Sequence, residues 1–521
     1  MALITALASY IASAVAVYVC LVLGYRILLH PLRRYPGPLL ARLSGAHSGF
    51  YALRGSLHLE TYKNHMKYGP VVRQAPDRLV FNTVKALQDI YQNERIAKSY
   101  AYSAAQPDQS NIFTTTSKSE HRPKRRLISQ LLSDQSMREF EPTMMGQVDV
   151  FLRQLMASDA QPVDMTPRCR HLGLEIAGLL GFGYNLHLQT DVTHRYLLKA
   201  ITTGNYRINA CLQYPPLARL KIDKIMDLFP NSLRARLLGT ISSMIKIRLS
   251  EPVDARHDLL SVFNSASDVD VQNLRQGQLW TEAVFFFAAG GETIASALAA
   301  TFFYLSRNQQ CYDKVAAEIR STFRSGAEIA GGGGRLSRCR YLRACIDESL
   351  RISPPVPSTL WREAAPDAVQ SQQQQPLVID GHVIPPGTQV GVNIYSLHHK
   401  EEYFPQPFRF LPERWMGGGE TGLATSEALS PFSFGPRGCA GKAMAYLETS
   451  LVLAKTLWYF DFEEAAPPPR ERGSGARSGF ALDAGEFPIY DLFAASHDGP
   501  RLIFRPRGNY YEDLVSDGKL T

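Results

Sequence analysis

No CxxC pair occurs among the seven cysteines (Cys20, Cys169, Cys211, Cys311, Cys339, Cys345 and Cys439), and their spacing is irregular. A zinc site built on such pairs is thereby not expected. An odd count without a framework also argues for buried thiols in a reducing compartment rather than disulfides. No long basic run stands out, although Lys and Arg outnumber Asp and Glu, 56 to 48, for a net charge of +8. Nucleic acid is therefore not the expected partner; a mildly basic face suits an acidic protein or an anionic membrane. No internal repeat is present, which excludes solenoids. At 45% hydrophobic and 20% charged residues the composition is that of an ordinary globular chain.

Charge is also missing from Ala2 to Tyr25; the first charged residue is Arg26, followed by Arg33 and Arg34. An apolar run of about 20 residues can span a bilayer as a helix. A cleavable signal peptide would carry its basic residues before the run. Here they follow it, and the positive-inside rule places the rest of the chain on the cytoplasmic side. Residues 1–29 are thus expected to be a membrane anchor. Residues 30–60 contain His30-Pro31-Leu32 and Tyr35-Pro36-Gly37-Pro38, a stiff hinge and linker. Residues 61–521 are expected to form a single domain.

Within that domain, Val71 to Thr83, broken by Pro76-Asp77, predicts a hairpin. Residues from about Arg122 to Ser353 predict mostly helix. Asp380-Gly381 between apolar residues predicts a second hairpin. Ser325–Gly334, Ser371–Pro376 and Glu464–Gly479, rich in small and polar residues, predict surface loops. The segment Trp280–Arg307 is apolar nearly all round, so it predicts a helix buried in the middle of the protein. Gly290 and Gly291 in its centre cost about 1 kcal/mol each relative to Ala. Glu292 and Thr293 beside them need partners when buried. Two readings stay open: a kink where another element packs close, or a groove where a flat ligand and a small molecule meet the backbone.

The segment Pro431–Gly441 is a loop of glycines and prolines around Cys439, followed by helical composition from Lys442 to Phe460. A cysteine at a helix start meets unpaired N–H groups that favour a thiolate, the form that binds metals. Gly435, Gly438 and Gly441 would let a large planar cofactor approach the backbone. Phe432, Gly435, Arg437, Cys439 and Gly441 match FxxGxRxCxG at every fixed position. In this the chain resembles the cytochrome P450 family, as it does in Ala289-Gly290-Gly291-Glu292-Thr293, in Glu348 and Arg351 (ExxR), and in FRFLPERW (Phe408–Trp415), where Trp stands for the usual Phe. The HPLRRYPGP hinge is similar to that of fungal microsomal members, many of which act in secondary metabolism.

The resemblance implies a mainly α fold with small β-sheets, the cytochrome P450 fold, preceded by one transmembrane helix. It implies haem b, with Cys439 as axial ligand to iron, and Phe432 and Gly441 against the cofactor. Haem propionates would be met by Arg437, Arg125 and Arg362, and by His121 in place of the family's Trp, with Pro123 a further departure inside that motif. Glu348, Arg351 and Arg414 would form a buried network holding the framework of the cysteine loop. Thr293 would hold a water by hydrogen bonding and Glu292 would relay protons; a mid-helix threonine can alternatively bond back to its own helix. Substrate contacts would come from Tyr100–Thr116, Thr202–Pro216, the first half of the central helix, Pro357–Leu360 and Leu492–Pro500, which suits an apolar small molecule.

The implied activity is insertion of one oxygen atom from O2 into an apolar substrate, expected to be a secondary metabolite. No flavin or nicotinamide segment is seen, so electrons from NADPH would arrive through a separate NADPH–cytochrome reductase, met by basic residues such as Arg437 and Lys442. The expected location is the endoplasmic reticulum membrane, single-pass, with the catalytic domain facing the cytoplasm. Two other functions stay in view: a haem-thiolate isomerase or dehydratase acting without O2, and a non-enzymatic haem sensor or carrier. The Glu292-Thr293 pair disfavours both.

Overall fold

The computed structural model describes residues 2–105, 110–220, 232–272, 274, 276–365, 376–417, 420–466, 481–512 and 514. Among them, two helices are long and apolar enough to cross a membrane. The first, Ala2–Leu28, has 27 residues; at 1.5 Å per residue it is about 40 Å long, more than the roughly 30 Å of a hydrocarbon core. None of its apolar window is buried against the body. The second, Gln276–Arg307, has 32 residues, and two-thirds of its apolar window is buried, as an all-round apolar pattern requires.

The hinge is pinned to the body by backbone geometry. Arg73 N–H donates to Pro36 O at 2.7 Å, and a Cβ at Gly37 would stand 2.3 Å from Arg73 O, so only glycine lets the chain cross that strand. Arg73 itself donates to Arg26 O at 2.9 Å and to Pro76 O at 2.8 Å, tying the end of the first helix to the first hairpin. Within residues 30–60 the chain is itself helical at Leu39–Leu43, Ala46–Arg54 and from Leu57 onward.

The main sheet has five strands in the order Val71–Ala75, Arg78–Phe81, Gln389–Val392, Arg362–Ala364, Ile96–Lys98. All neighbours are antiparallel except Arg78–Phe81 with Gln389–Val392. The first two strands are the hairpin around Pro76-Asp77. The second expected hairpin is Leu377–Ile379 with His382–Ile384; Asp380 and Gly381 have φ of 48° and 76°, the two positive values a type I′ turn needs. A three-stranded sheet joins Val163–Asp164, Arg501–Pro506 and Phe460–Glu464.

The predicted helical region is helical across its described residues, apart from short connections and Val163–Asp164. Helix Met165–Phe182 packs along the central helix. Their approach is so close that a Cβ at Gly173 would lie 2.6 Å from Gly291 O, and one at Gly291 would lie 2.3 Å from Leu174 Cδ2. Gly291 therefore serves helix packing, the first of the two readings of the glycine pair. Of the loops predicted for the surface, Ser325–Gly334 is partly packed: Ile329 is fully buried and Gly326 abuts Tyr459. Small residues there serve contact as well as turning. Glu464 closes a strand; residues 371–375 and 467–479 of the other two loops lie outside the described residues.

Candidate active site

The cysteine loop is shaped by its own backbone. Cys439 N–H donates to Phe432 O at 2.8 Å and Gly438 N–H to Gly435 O at 2.9 Å. Gly435 has φ of 70°, and a Cβ there would stand 2.1 Å from Tyr91 O, so this position admits only glycine. Helix Lys442–Tyr459 follows, with Gly441 as its cap. The thiol of Cys439 opens onto an internal cavity of about 410 Å³. The side chain is open to that cavity yet enclosed by the body, and enclosure dominates its titration. Burial raises its pKa, while the Gly441 N–H, Arg125 and Lys442 pull it down by less. Burial thus opposes the thiolate that the helix start and the neighbouring cations favour, and metal coordination deprotonates a thiol outright.

Ala289, Gly290 and Thr293 of the central helix line the same cavity. The Thr293 hydroxyl donates to Ala289 O at 2.8 Å, the back-bond open to a mid-helix threonine, which leaves its lone pairs free to accept from the cavity. Glu292 does not line the cavity. Burial raises its pKa, and its carboxylate pairs with Arg170 at 2.7 Å. Arg170 also donates to Leu198 O at 2.9 Å and to Thr202.

Part of the cavity wall is a cluster of basic side chains that act on one another. Lys98, His121, Arg125, Arg362 and Arg437 all line it. Arg437 donates to the carbonyls of Thr115, Thr116 and Ser117 at 3.0–3.2 Å, so it turns inward rather than toward a partner protein. Lys442 is exposed. Arg125 donates to Gly438 O, and Arg362 to Trp361 O at 3.0 Å. Burial, then Arg362, lowers the Arg437 pKa to about 10. Burial, then Arg437, Lys98 and other cations, lowers that of His121 to about 3. Lys98 is lowered well below its usual value by burial and then by Arg362 and Arg437. The nearby Glu282 is committed to Lys124 at 3.0 Å, both side chains buried. This group lacks the negative charge that its burial demands.

These features fit haem. Among the described residues no group of three or more His, Cys, Asp or Glu could hold a metal, so a metal at Cys439 needs its other ligands from a cofactor. Small residues from two elements, Gly438, Ala440 and Gly441 of the cysteine loop and Ala289 and Gly290 of the central helix, line the cavity and leave its wall free of bulky side chains there. A Cβ at Gly441 would meet nothing nearer than the Cys439 Sγ at 3.9 Å. Phe432 lines the same wall, and the cation cluster is suited to two propionates.

The chain belongs to the cytochrome P450 family. The family model for cytochrome P450 matches residues 36–485. The cytochrome P450 monooxygenase poxM of Penicillium oxalicum is 36% identical over 493 residues, covering 92% of this chain and 91% of that protein. The cytochrome P450 monooxygenases AKT7 of Alternaria alternata and atnE of Emericella nidulans are 34% and 33% identical, covering about nine-tenths of both chains in each case. The fold is the cytochrome P450 fold, and the protein is an oxidoreductase of the monooxygenase class.

In this P450, Glu348, Arg351 and Arg414 meet away from the cavity. Glu348 and Arg351 are fully buried, and Arg351 grips the carboxylate through two bonds of 2.9 Å. Arg414 adds one at 3.0 Å. Trp415, the departure from the family's Phe, supplies a further donor: its Nε1–H reaches Glu348 at 3.0 Å. Arg351 continues to His398 O at 2.9 Å. His398 Nδ1 meets Arg351 O at 3.1 Å, and its Nε2 accepts Ser430 N–H at 2.9 Å, at the entry to the cysteine loop. Burial, then Arg351, keeps this ring neutral, with a pKa of about 3. Sequence reasoning missed His398, Lys98, Trp415 and Arg170. A clue existed only for Trp415, as a motif departure able to donate a hydrogen bond.

The regions expected to touch substrate each contribute to the cavity wall. Tyr102, Ile112 and Phe113, then Asn205 and Ile208, then Phe285, Leu360, Phe493 and Ala494 line it. From the Pro357–Leu360 stretch only Leu360 does so, while Pro355 and Val356 just before it also line the wall.

Proposed function

We propose that this protein is a haem-thiolate monooxygenase in which Cys439 ligates the iron of haem b. The observation that supports the reading is a cysteine in the signature loop and a threonine of the central helix lining one mostly apolar cavity, together with a cluster of basic side chains. Haem bound there would supply activation of O2 and insertion of one oxygen atom into a C–H bond, the other atom leaving as water. Arg437, Arg125, Arg362 and Lys98 would neutralise the propionates, with a hydrogen bond from the neutral His121, and Phe432 and Gly441 would lie against the ring. Thr293 would accept and pass a proton at its Oγ1, held in place by its bond to Ala289 O. Glu292 serves as relay only when its pair with Arg170 opens; with the pair closed, water must deliver protons to Thr293. The mostly apolar wall, with few polar groups such as Asn205 and Thr281, supports an apolar substrate of modest size. Fungal relatives and the fungal-type hinge support a secondary metabolite.

Electrons would come from NADPH through a separate flavin-containing reductase. The exposed first helix and the arginines that follow it support a single-pass anchor in the endoplasmic reticulum membrane, with the catalytic domain facing the cytoplasm. The test is reconstitution with a reductase. NADPH consumption should respond to added apolar compounds. In Thr293→Ala, haem and carbon monoxide should still bind and NADPH consumption should continue. The product formed per NADPH should fall and hydrogen peroxide rise, because proton assistance is commonly worth about 10²–10⁴-fold and water replaces only part of it. Unchanged coupling in Thr293→Ala would remove this residue from the reaction. Turnover of a peroxide substrate without O2 or reductase would favour the isomerase instead.

A further inference from the structure

Most of the cavity wall is apolar, and apolar contacts do not fix direction. What fixes the wall must therefore lie behind it. Three of its parts come from distant places in the chain: helix Tyr196–Gln213, the segment Pro355–Leu360, and the C-terminal loop carrying Phe493 and Ala494. Behind all three sits Asp491, with no exposed surface. Its carboxylate Oδ1 accepts the Ser358 hydroxyl and the Asn209 amide at 3.1 Å. The same Asn209 amide donates to Asp491 O at 2.8 Å. The Asp491 N–H donates to Gly55 O at 2.8 Å, which brings in the segment following the hinge. Four residues on, Ala495 N–H donates to Pro355 O at 2.8 Å. Two residues from Asp491, Phe493 meets Phe113 edge-on at 4.8 Å, and Phe113 stacks on Phe285 of the central helix at 5.4 Å. One buried carboxylate thus joins the distal helix, the Ser358 segment and the loop that presents Phe493.

We infer that Asp491 is a positioning residue for substrate: it holds three walls of the cavity in register and so sets which part of an apolar substrate faces the cysteine side. This rests on the reading of the cavity as a haem-thiolate substrate chamber. A buried carboxylate bonded at one oxygen by two side chains from different segments resists their separation, because parting them leaves a buried charge short of donors. The walls are thereby organised before substrate enters, which lowers the cost of binding.

The experiment uses the full-length, haem-loaded protein and two azole probes whose binding shifts the haem absorption band. Imidazole needs little beyond the iron; clotrimazole carries three further aromatic rings that the cavity wall must accommodate. In Asp491→Ala, the affinity for clotrimazole should fall by about tenfold or more, the scale of one hydrogen bond to a charged group, while imidazole binds within about twofold of wild type. Ser358→Ala and Asn209→Ala each remove one donor and should shift the two probes in the same unequal way, which keeps the test available if Asp491→Ala loads little haem. Wild-type affinity for clotrimazole in Ser358→Ala and Asn209→Ala, or an equal loss of both probes, would overturn the inference. Absence of any haem shift with imidazole in wild type would instead overturn the haem-thiolate reading.

Discussion

At the scale of single residues, the site is organised by charges that cannot be left alone. Glu348 is fully buried and accepts from Arg351, Arg414, Trp415 and the Leu411 N–H. Removing it would strand two guanidinium groups, and breaking a buried pair typically costs about 3–5 kcal/mol. Against a total stability of about 5–15 kcal/mol, Glu348→Ala should give little haem-loaded protein. Trp415→Phe removes one donor among several to this charged group and should cost less, about 1.5–3 kcal/mol. Measuring haem content and thermal midpoint in both variants checks this; normal values in Glu348→Ala would contradict the network. The three members of this network were legible because ExxR and PER are local patterns. Trp415's bond and the path through His398 to Ser430 were not, because they join positions 32 to 67 residues apart. Likewise Glu292 announced that it needs a partner, but nothing local points to Arg170, 122 residues away.

At the scale of elements, the central helix was legible from its all-round apolar composition, and both hairpins from their turn residues. The division of labour between its two glycines was not. Gly290 borders the cavity, and a Cβ there would meet Ala177 Cβ at 3.3 Å. Gly291 faces Leu174, where a Cβ would lie 2.3 Å from Cδ2 and 3.0 Å from the Cα. Alanine gains about 1 kcal/mol of helix propensity at either position. At Gly291 overpacking of a close helix pair costs about 1–3 kcal/mol and should win. Gly291→Ala should therefore lower the thermal midpoint while Gly290→Ala leaves it nearly unchanged. The opposite order would show that the helix crossing is looser than described. Helix periodicity marks a face as buried; whether that face meets another backbone or a cavity depends on the partner element, which lies more than a hundred residues earlier in the chain.

At the scale of the whole molecule, a helix with an exposed apolar surface stands before a body that carries its own core. Leu3, Tyr10 and Leu21 are 84%, 77% and 68% exposed, and the link to the body runs through the Arg73 clamp. Deleting residues 1–29 should release a protein from membranes that still binds haem. Sedimentation of the truncated chain with and without membranes, with haem content measured in both fractions, checks this. Failure of the truncated protein to bind haem would place the helix within the core of the fold. The central proposal is that the thiol of Cys439 holds iron; the cavity it lines and the network reaching Ser430 at the entry to its loop support it. The measurement that reaches it most directly is the absorption spectrum of the reduced, carbon-monoxide-bound protein. Wild type should show the red-shifted band of thiolate ligation, and Cys439→His should lose it. The same red-shifted band in Cys439→His would contradict the account.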